Sequence, residues 1–257
     1  MNQPSLFYRE QGTGDPIIIL HGILGSSDNW MTVARSLSSD YKVFTLDQRN
    51  HGQSFHSDKF DYPSMVNDLK KFIAEHEIVN PFIIGHSMGG KVAMNFAISF
   101  PELLKELVIV DISPRSYPIH HDNILEGLSS IELDKLQSRN DADTQLSKYV
   151  SDSTTRNFLL KNLSRDETGN FTWKINLPVI RMKMEWVGIG LPGNDKFEKK
   201  TLFIKGEKSN YINEQDYDLI KARFPNSEIK VIKDAGHWVH AEQPELFITL
   251  LNDFLKS

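Results

Sequence analysis

Phe82-Ile83-Ile84-Gly85-His86-Ser87-Met88-Gly89-Gly90 is the stretch that decides how this chain folds. Three apolar residues of strand character run into Gly-x-Ser-x-Gly. A helical pattern follows from Val92 to Phe100 and stops at Pro101. A strand, a tight turn and a helix form the setting in which a serine hydroxyl stands exposed at the end of a buried strand. Gly85 and Gly89 leave room where side chains would collide, and Gly90 lets the helix pack close. The helix N-terminus adds backbone N–H groups and positive partial charge beside Ser87. Ser87 is therefore the candidate nucleophile.

Outward from this stretch, short apolar runs recur at 17–20, 43–46, 107–110, 202–204 and 229–232, with room for helices between them. Runs rich in Ile and Val read as buried strands, and their mostly continuous apolar character suits a parallel sheet covered on both faces. Met65, Leu69, Phe72 and Ile73 fall at helical spacing within 63–78. Leu246, Phe247, Leu250, Leu251 and Phe254 do the same behind Pro244. Strands alternating with helices give an α/β class. From Arg115 to Lys200 no buried-strand run appears, and the pattern is polar and mostly helical. The expected organisation is a core of residues 1–114 and 201–257, carrying 115–200 as a helical cap.

A serine nucleophile needs a base, an acid behind the base, and donors for a developing oxyanion. His21-Gly22-Ile23 follows the run 17–20, where an oxyanion loop is expected, so the backbone N–H groups of Ile23 and Met88 are the candidate donors. The identity of Ile23 matters little, and His21 itself reads mainly as a residue that bonds within its loop. His237 follows the last strand run and the turn Asp234-Ala235-Gly236, the right chain position for the base. His240, and His120-His121-Asp122, would suit a metal only weakly, and no metal is expected. The acid usually follows the run 202–204 in a pattern such as Gly-x-x-Asp. Here the chain reads Gly206-Glu207-Lys208-Ser209, with Ser209 in the acid's place. The run 107–110 ends instead in Asp111, on a strand expected beside that of Ser87. Asp111 is favoured, and Glu207 is the rival. His21, His86 and Trp186 are the candidate substrate-pocket residues.

Composition narrows the partners. The 257 residues carry 29 Lys and Arg against 34 Asp and Glu, a net charge of −5, and no basic face for nucleic acid is visible. The absence of cysteine removes disulfides, a thiolate nucleophile and iron–sulfur ligation. It also fits a reducing, cytoplasmic setting. No N-terminal signal pattern, no run of about 20 apolar residues for a membrane span and no cofactor-cradling glycine loop is visible.

These residues resemble the α/β-hydrolase superfamily over essentially the whole chain. Its landmarks are His21-Gly22, Asp47-Gln48-Arg49-Asn50-His51-Gly52-Gln53-Ser54, Gly85-His86-Ser87-Met88-Gly89-Gly90 and Gly236-His237. More narrowly the chain is similar to the YbfF-type serine esterases and their mitochondrial relatives, through Arg49-Asn50-His51-Gly52, His86-Ser87-Met88-Gly89-Gly90-Lys91, Val110-Asp111-Ile112-Ser113-Pro114 and the segment from Gly236 to Glu242. In that family the acid follows the strand after the elbow, which implies Asp111. The resemblance also implies a small helical cap, with Trp173 and Asn176-Leu177-Pro178 matching its pattern, and hydrolysis of short acyl esters. Rival functions are an acyl-CoA thioesterase, with Arg115, Arg181 and Lys183 meeting phosphates, a C–C bond hydrolase on the same triad, and a non-catalytic binder. The sequence leaves the oligomeric state open.

Overall fold

The computed structural model describes residues 4–118 and 122–257, so His120 and His121 lie outside the described residues. The strands are β1 (Tyr8–Gln11), β2 (Asp15–Leu20), β3 (Tyr41–Leu46), β4 (Phe82–His86), β5 (Leu107–Val110), β6 (Leu163–Arg165), β7 (Phe171–Trp173), β8 (Thr201–Gly206) and β9 (Ser227–Ile232). Seven of them form one sheet in the order β1-β3-β2-β4-β5-β8-β9, and β6 pairs with β7 as a separate hairpin. Every pairing in the large sheet is parallel except β1 against β3.

Alternation along each strand divides the apolar residues between two layers. Ile17, Ile19, Ile84, Val108 and Val110 pack with Val33 and Leu37 of α1 (Met31–Leu37). The same layer includes Phe247 and Leu251 of the C-terminal helix, Pro244–Leu255. Ile18, Leu20, Ile83 and Ile109 face the other way, onto α2 (Tyr62–Glu75) and α3 (Met88–Ser99). The Asp61 carboxylate caps α2 by accepting the Ser64 N–H at 2.8 Å. The chain works outward from β2 in both directions, so the crevice at the carboxyl ends of β2 and β4 is the expected ligand site.

Three strands escape sequence reading. β1 reads Tyr-Arg-Glu-Gln, carries no apolar run and is held as an edge by its pairing with β3. The β6–β7 hairpin is three residues a side. Its turn is closed by the Asp166 carboxylate, which accepts from the Thr168 and Asn170 N–H groups at 2.9 Å each. β9, expected to be buried, is the opposite edge, and Val231 is half exposed there.

Between β5 and β8 the chain builds α4 (Asp122–Ser129), α5 (Arg139–Leu146), α6 (Ser153–Leu160), the hairpin, α7 (Leu177–Met182) and α8 (Met184–Val187). Leu128, Leu146, Leu159 and Ile180 join the same apolar layer as α2 and α3. Polar anchors fix this segment over the sheet ends. Asn162 Nδ2 donates to Leu24 O at 2.7 Å, the Asn176 N–H donates to Asn50 O at 2.9 Å, and the Tyr62 hydroxyl donates to Val187 O at 2.7 Å. The remaining helices are α9 (Tyr217–Arg223), α10 (Val239–Glu242) and α11, the C-terminal helix. Among the described residues no helix is long and apolar enough to cross a membrane.

Candidate active site

Ser87 lies between β4 and α3 with φ 52° and ψ −116°, a conformation most side chains avoid. Its N–H donates to Val110 O at 3.1 Å, which ties the turn to β5. A side chain at Gly85 would meet the backbone of Gly89 and Gly90, and one at Gly89 would meet the carbonyls of Leu20 and His21. The two glycines permit the close approach that holds the strained turn.

His237 follows β9, and its Nδ1 lies 2.7 Å from Asp111 Oδ2. Asp111 is fully buried at the end of β5. Its Oδ1 accepts the Gly206 N–H at 3.1 Å, and its Oδ2 also accepts the Ser209 hydroxyl. An ionised carboxylate only accepts, so Nδ1 carries the ring proton and Nε2 is left with its lone pair. The loop around His237 is clamped by Glu242, which accepts the Gly236 N–H at 2.7 Å and the Trp238 N–H at 3.2 Å. Tyr211 stacks on the imidazole at 4.0 Å between centroids. Nothing in the sequence pattern singles out Tyr211 or this clamping role of Glu242.

Glu207 goes elsewhere. Its side chain is exposed and accepts the Asp234 N–H at 3.0 Å. Ser209, in the position where an acid was sought, is the hydroxyl that reaches Asp111. The Ile23 N–H has no hydrogen-bond partner among the described residues. Met88 opens α3, so its N–H has no carbonyl one turn earlier in the helix. Both residues border the cavity that Ser87 borders.

The other imidazoles here are structural in geometry. His21 Nδ1 donates to Gly22 O at 2.7 Å, and its Nε2 accepts the Gln48 N–H at 3.0 Å, which fixes a neutral tautomer. Burial lowers His21 to about 4. His51 is bonded in the same way, to Arg49 O and the Leu24 N–H, and is lowered to about 3 by burial and then by His21. His86 Nε2 donates to His237 O at 2.9 Å, and burial holds it well below the usual range. His240 stacks on Trp30 at 4.0 Å and is lowered to about 3, chiefly by burial.

Two cavities meet at Ile23, Ser87, Tyr211 and His237. The smaller, about 310 Å³, runs toward α6 past Phe158, Leu159 and Trp238, and His21 and His86 are in its wall. The larger, about 430 Å³, runs toward α8 past Ile112, Tyr117 and Met184. Trp186, expected in the substrate pocket, is instead 39% exposed and lines neither cavity. In the short α8, Met184 and Val187 stand three apart and share the inward face, which turns Trp186 outward. Of the three cations proposed to meet phosphates, Lys183 lines neither cavity. Arg115 lines the larger cavity, whereas Arg181 borders a separate groove with Asp122, Glu126 and Glu185. Lys91, quoted above only within a motif, is fully buried in the wall of the larger cavity. Burial, then Arg115, lowers it to about 7.

Comparison with known proteins agrees with this architecture. The family model described as the alpha/beta hydrolase fold matches residues 15–159. A solved marine microorganism esterase is 42% identical, with a TM-score of 0.96, covering 98% of this chain and all of its own. Esterase YbfF of Escherichia coli (strain K12) is 32% identical over 250 residues, 97% of this chain and 96% of the relative. The sn-1-specific diacylglycerol lipase ABHD11 of Danio rerio is 40% identical over 256 residues, 96% of this chain and 80% of the relative. With a seven-stranded, mostly parallel sheet and relatives matched over nearly its whole length, the chain belongs to the α/β-hydrolase family and is a hydrolase of the YbfF esterase type.

Proposed function

We propose that this protein is a serine carboxylesterase acting on short acyl esters through an acyl-enzyme. Ser87 Oγ attacks the ester carbonyl while His237 Nε2 takes its proton. Asp111 holds the tautomer and stabilises the imidazolium that forms. The Ile23 and Met88 N–H groups receive the oxyanion, each contributing ~3–4 kcal/mol to the transition state by analogy with such donors elsewhere. His237 returns the proton to the leaving alcohol, and water then repeats the sequence to release the acid and free Ser87. A thioester would react by the same steps.

The observation that carries this reading is the bond from His237 Nδ1 to a buried carboxylate. It directs the basic nitrogen away from Asp111, on a ring that borders both cavities beside Ser87. Residues 115–200 act as the cap that roofs these cavities over the core of 1–114 and 201–257. The cavities favour a small-molecule acyl ester, as do relatives named esterase and diacylglycerol lipase. The test is p-nitrophenyl butyrate hydrolysis together with fluorophosphonate labelling. Folded Ser87→Ala should lose about 10⁴-fold or more in kcat/KM, and the labelled peptide of the parent should contain Ser87. Labelling at another residue, or an active Ser87→Ala, would overturn the reading.

A further inference from the structure

The two cavities differ in charge. No Lys, Arg, Asp or Glu among the described residues lines the smaller one, and its imidazoles His21, His86 and His240 are held neutral by burial. The larger one is lined by Lys91, Arg115 and Lys208, and by no Asp or Glu among the described residues. Lys208 is a rim residue paired with Asp234 in solvent. Lys91 and Arg115 are the inner pair.

One carboxylate, Asp216, stands near both. Arg115 Nε holds it at 2.8 Å, and its other oxygen accepts the Asn213 N–H at 2.9 Å. Lys91 Nζ is left with neutral acceptors, Pro114 O at 3.2 Å and Arg115 O. An ammonium has three N–H bonds, so one remains beyond these two carbonyls, with only the Tyr117 ring, its centroid 5.2 Å from Nζ, also within reach. A buried cation with no ion-pair partner is costly to hold, and an arriving anion would offset that cost. Arg115 is also fixed in place, with its guanidinium 3.9 Å from the Tyr117 ring centroid.

Building on the esterase reading above, we propose that the larger cavity receives an anionic group of the substrate, a carboxylate or a phosphate, between Lys91 and Arg115. The preferred substrates are then esters charged at one end and apolar at the other, with Ser87 at the junction. Lys91 lies one helical turn after Ser87, its N–H donating to Ser87 O at 3.1 Å. The anion therefore sits a few methylenes from the reacting carbonyl, or is carried by the alcohol.

The test compares kcat/KM for each anionic ester with that for its neutral, methyl-capped isostere. Mono-p-nitrophenyl succinate, glutarate and adipate place a carboxylate on the acyl side. The butyryl esters of glycolate and of glycerol phosphate place a carboxylate or a phosphate on the alcohol side. At least one anionic ester should be preferred by about ten-fold or more, as expected for a hydrogen bond to a charged group. The preference should lie in KM, because such a contact acts on ground and transition state alike. Added salt should reduce it. Lys91→Met and Arg115→Gln should each lower the anionic-to-neutral ratio, so the proposal does not depend on one buried variant folding. Neutral isosteres that match or exceed every anionic ester in the parent would overturn it. Calorimetric binding of the same pairs to folded Ser87→Ala keeps the two readings distinguishable. Hydrolysis that persists in folded Ser87→Ala, together with retained preference for the anionic ligand, would contradict the esterase reading alone. Equal binding of charged and neutral partners would contradict the anion site.

Discussion

The carboxyl ends of β5 and β8 are neighbours in the sheet, with Val110 opposite Ile204, yet they deliver different things to the site. β5 ends in Asp111, with φ 50° and its side chain fully buried. Aspartate tolerates this left-handed geometry better than most residues. β8 ends in Gly206 and delivers no acid to His237. Its exposed Glu207 turns to the Asp234 N–H, while the Gly206 N–H and the Ser209 hydroxyl both bond Asp111. Two adjacent strand ends thus converge on one point, and the end that lacks the carboxylate supplies its hydrogen bonds. The difference teaches that a carboxylate on one strand end can be held by donors from the end of its neighbour.

The largest effect should come from the β5 end. Asp111→Asn would present an amide to Nδ1 and favour the wrong tautomer, with an expected loss of about 10⁴-fold in kcat/KM by analogy with the same change in serine proteases.

Acid should separate imidazoles with a carboxylate partner from those without. His21, His51, His86 and His240 are buried, have depressed proton affinity and make no hydrogen bond to a carboxylate. The unfolded chain binds protons at these positions more readily, so their contribution to stability is full above about pH 6.5 and is lost as pH falls below it. Each contributes a slope of about 1.4 kcal/mol per pH unit, so the urea midpoint should drop steeply between about pH 6.5 and 4.5. A flat midpoint across that range would contradict the burial account.

At the β8 end, Ser209→Ala removes one donor to a buried charge and should cost about 10–100-fold in kcat/KM. Glu207→Gln should stay within about two-fold in activity, since the exposed side chain touches only the Asp234 turn. A large loss there would erase the distinction between the two ends.

β2, β4, β5 and β8 were legible because they are largely buried and read as continuous apolar runs, whereas the edge strand β9 interleaves Ile and Val with Glu and Lys. β1 was not legible, since an edge strand of Tyr-Arg-Glu-Gln needs only backbone pairing with β3. That Asp111 lies beside the Ser87 turn could be argued from strand order, because the adjacent parallel strands β4 and β5 end side by side. The supporting bonds of Ser209, Glu242 and Tyr211 could not, since they depend on where loops fold. Residues 115–200 were the least readable. Their short helices pack across several elements, and Trp186 shows that an aromatic near a site can point outward when two smaller apolar residues hold the inward face.

The most direct measurement sets the two strand ends against each other: kcat/KM for p-nitrophenyl butyrate in Asp111→Asn and in Glu207→Gln, with folding verified by circular dichroism. The account predicts a loss of about 10⁴-fold in the first and near-parent activity in the second. An active Asp111→Asn beside an inactive, folded Glu207→Gln would contradict it.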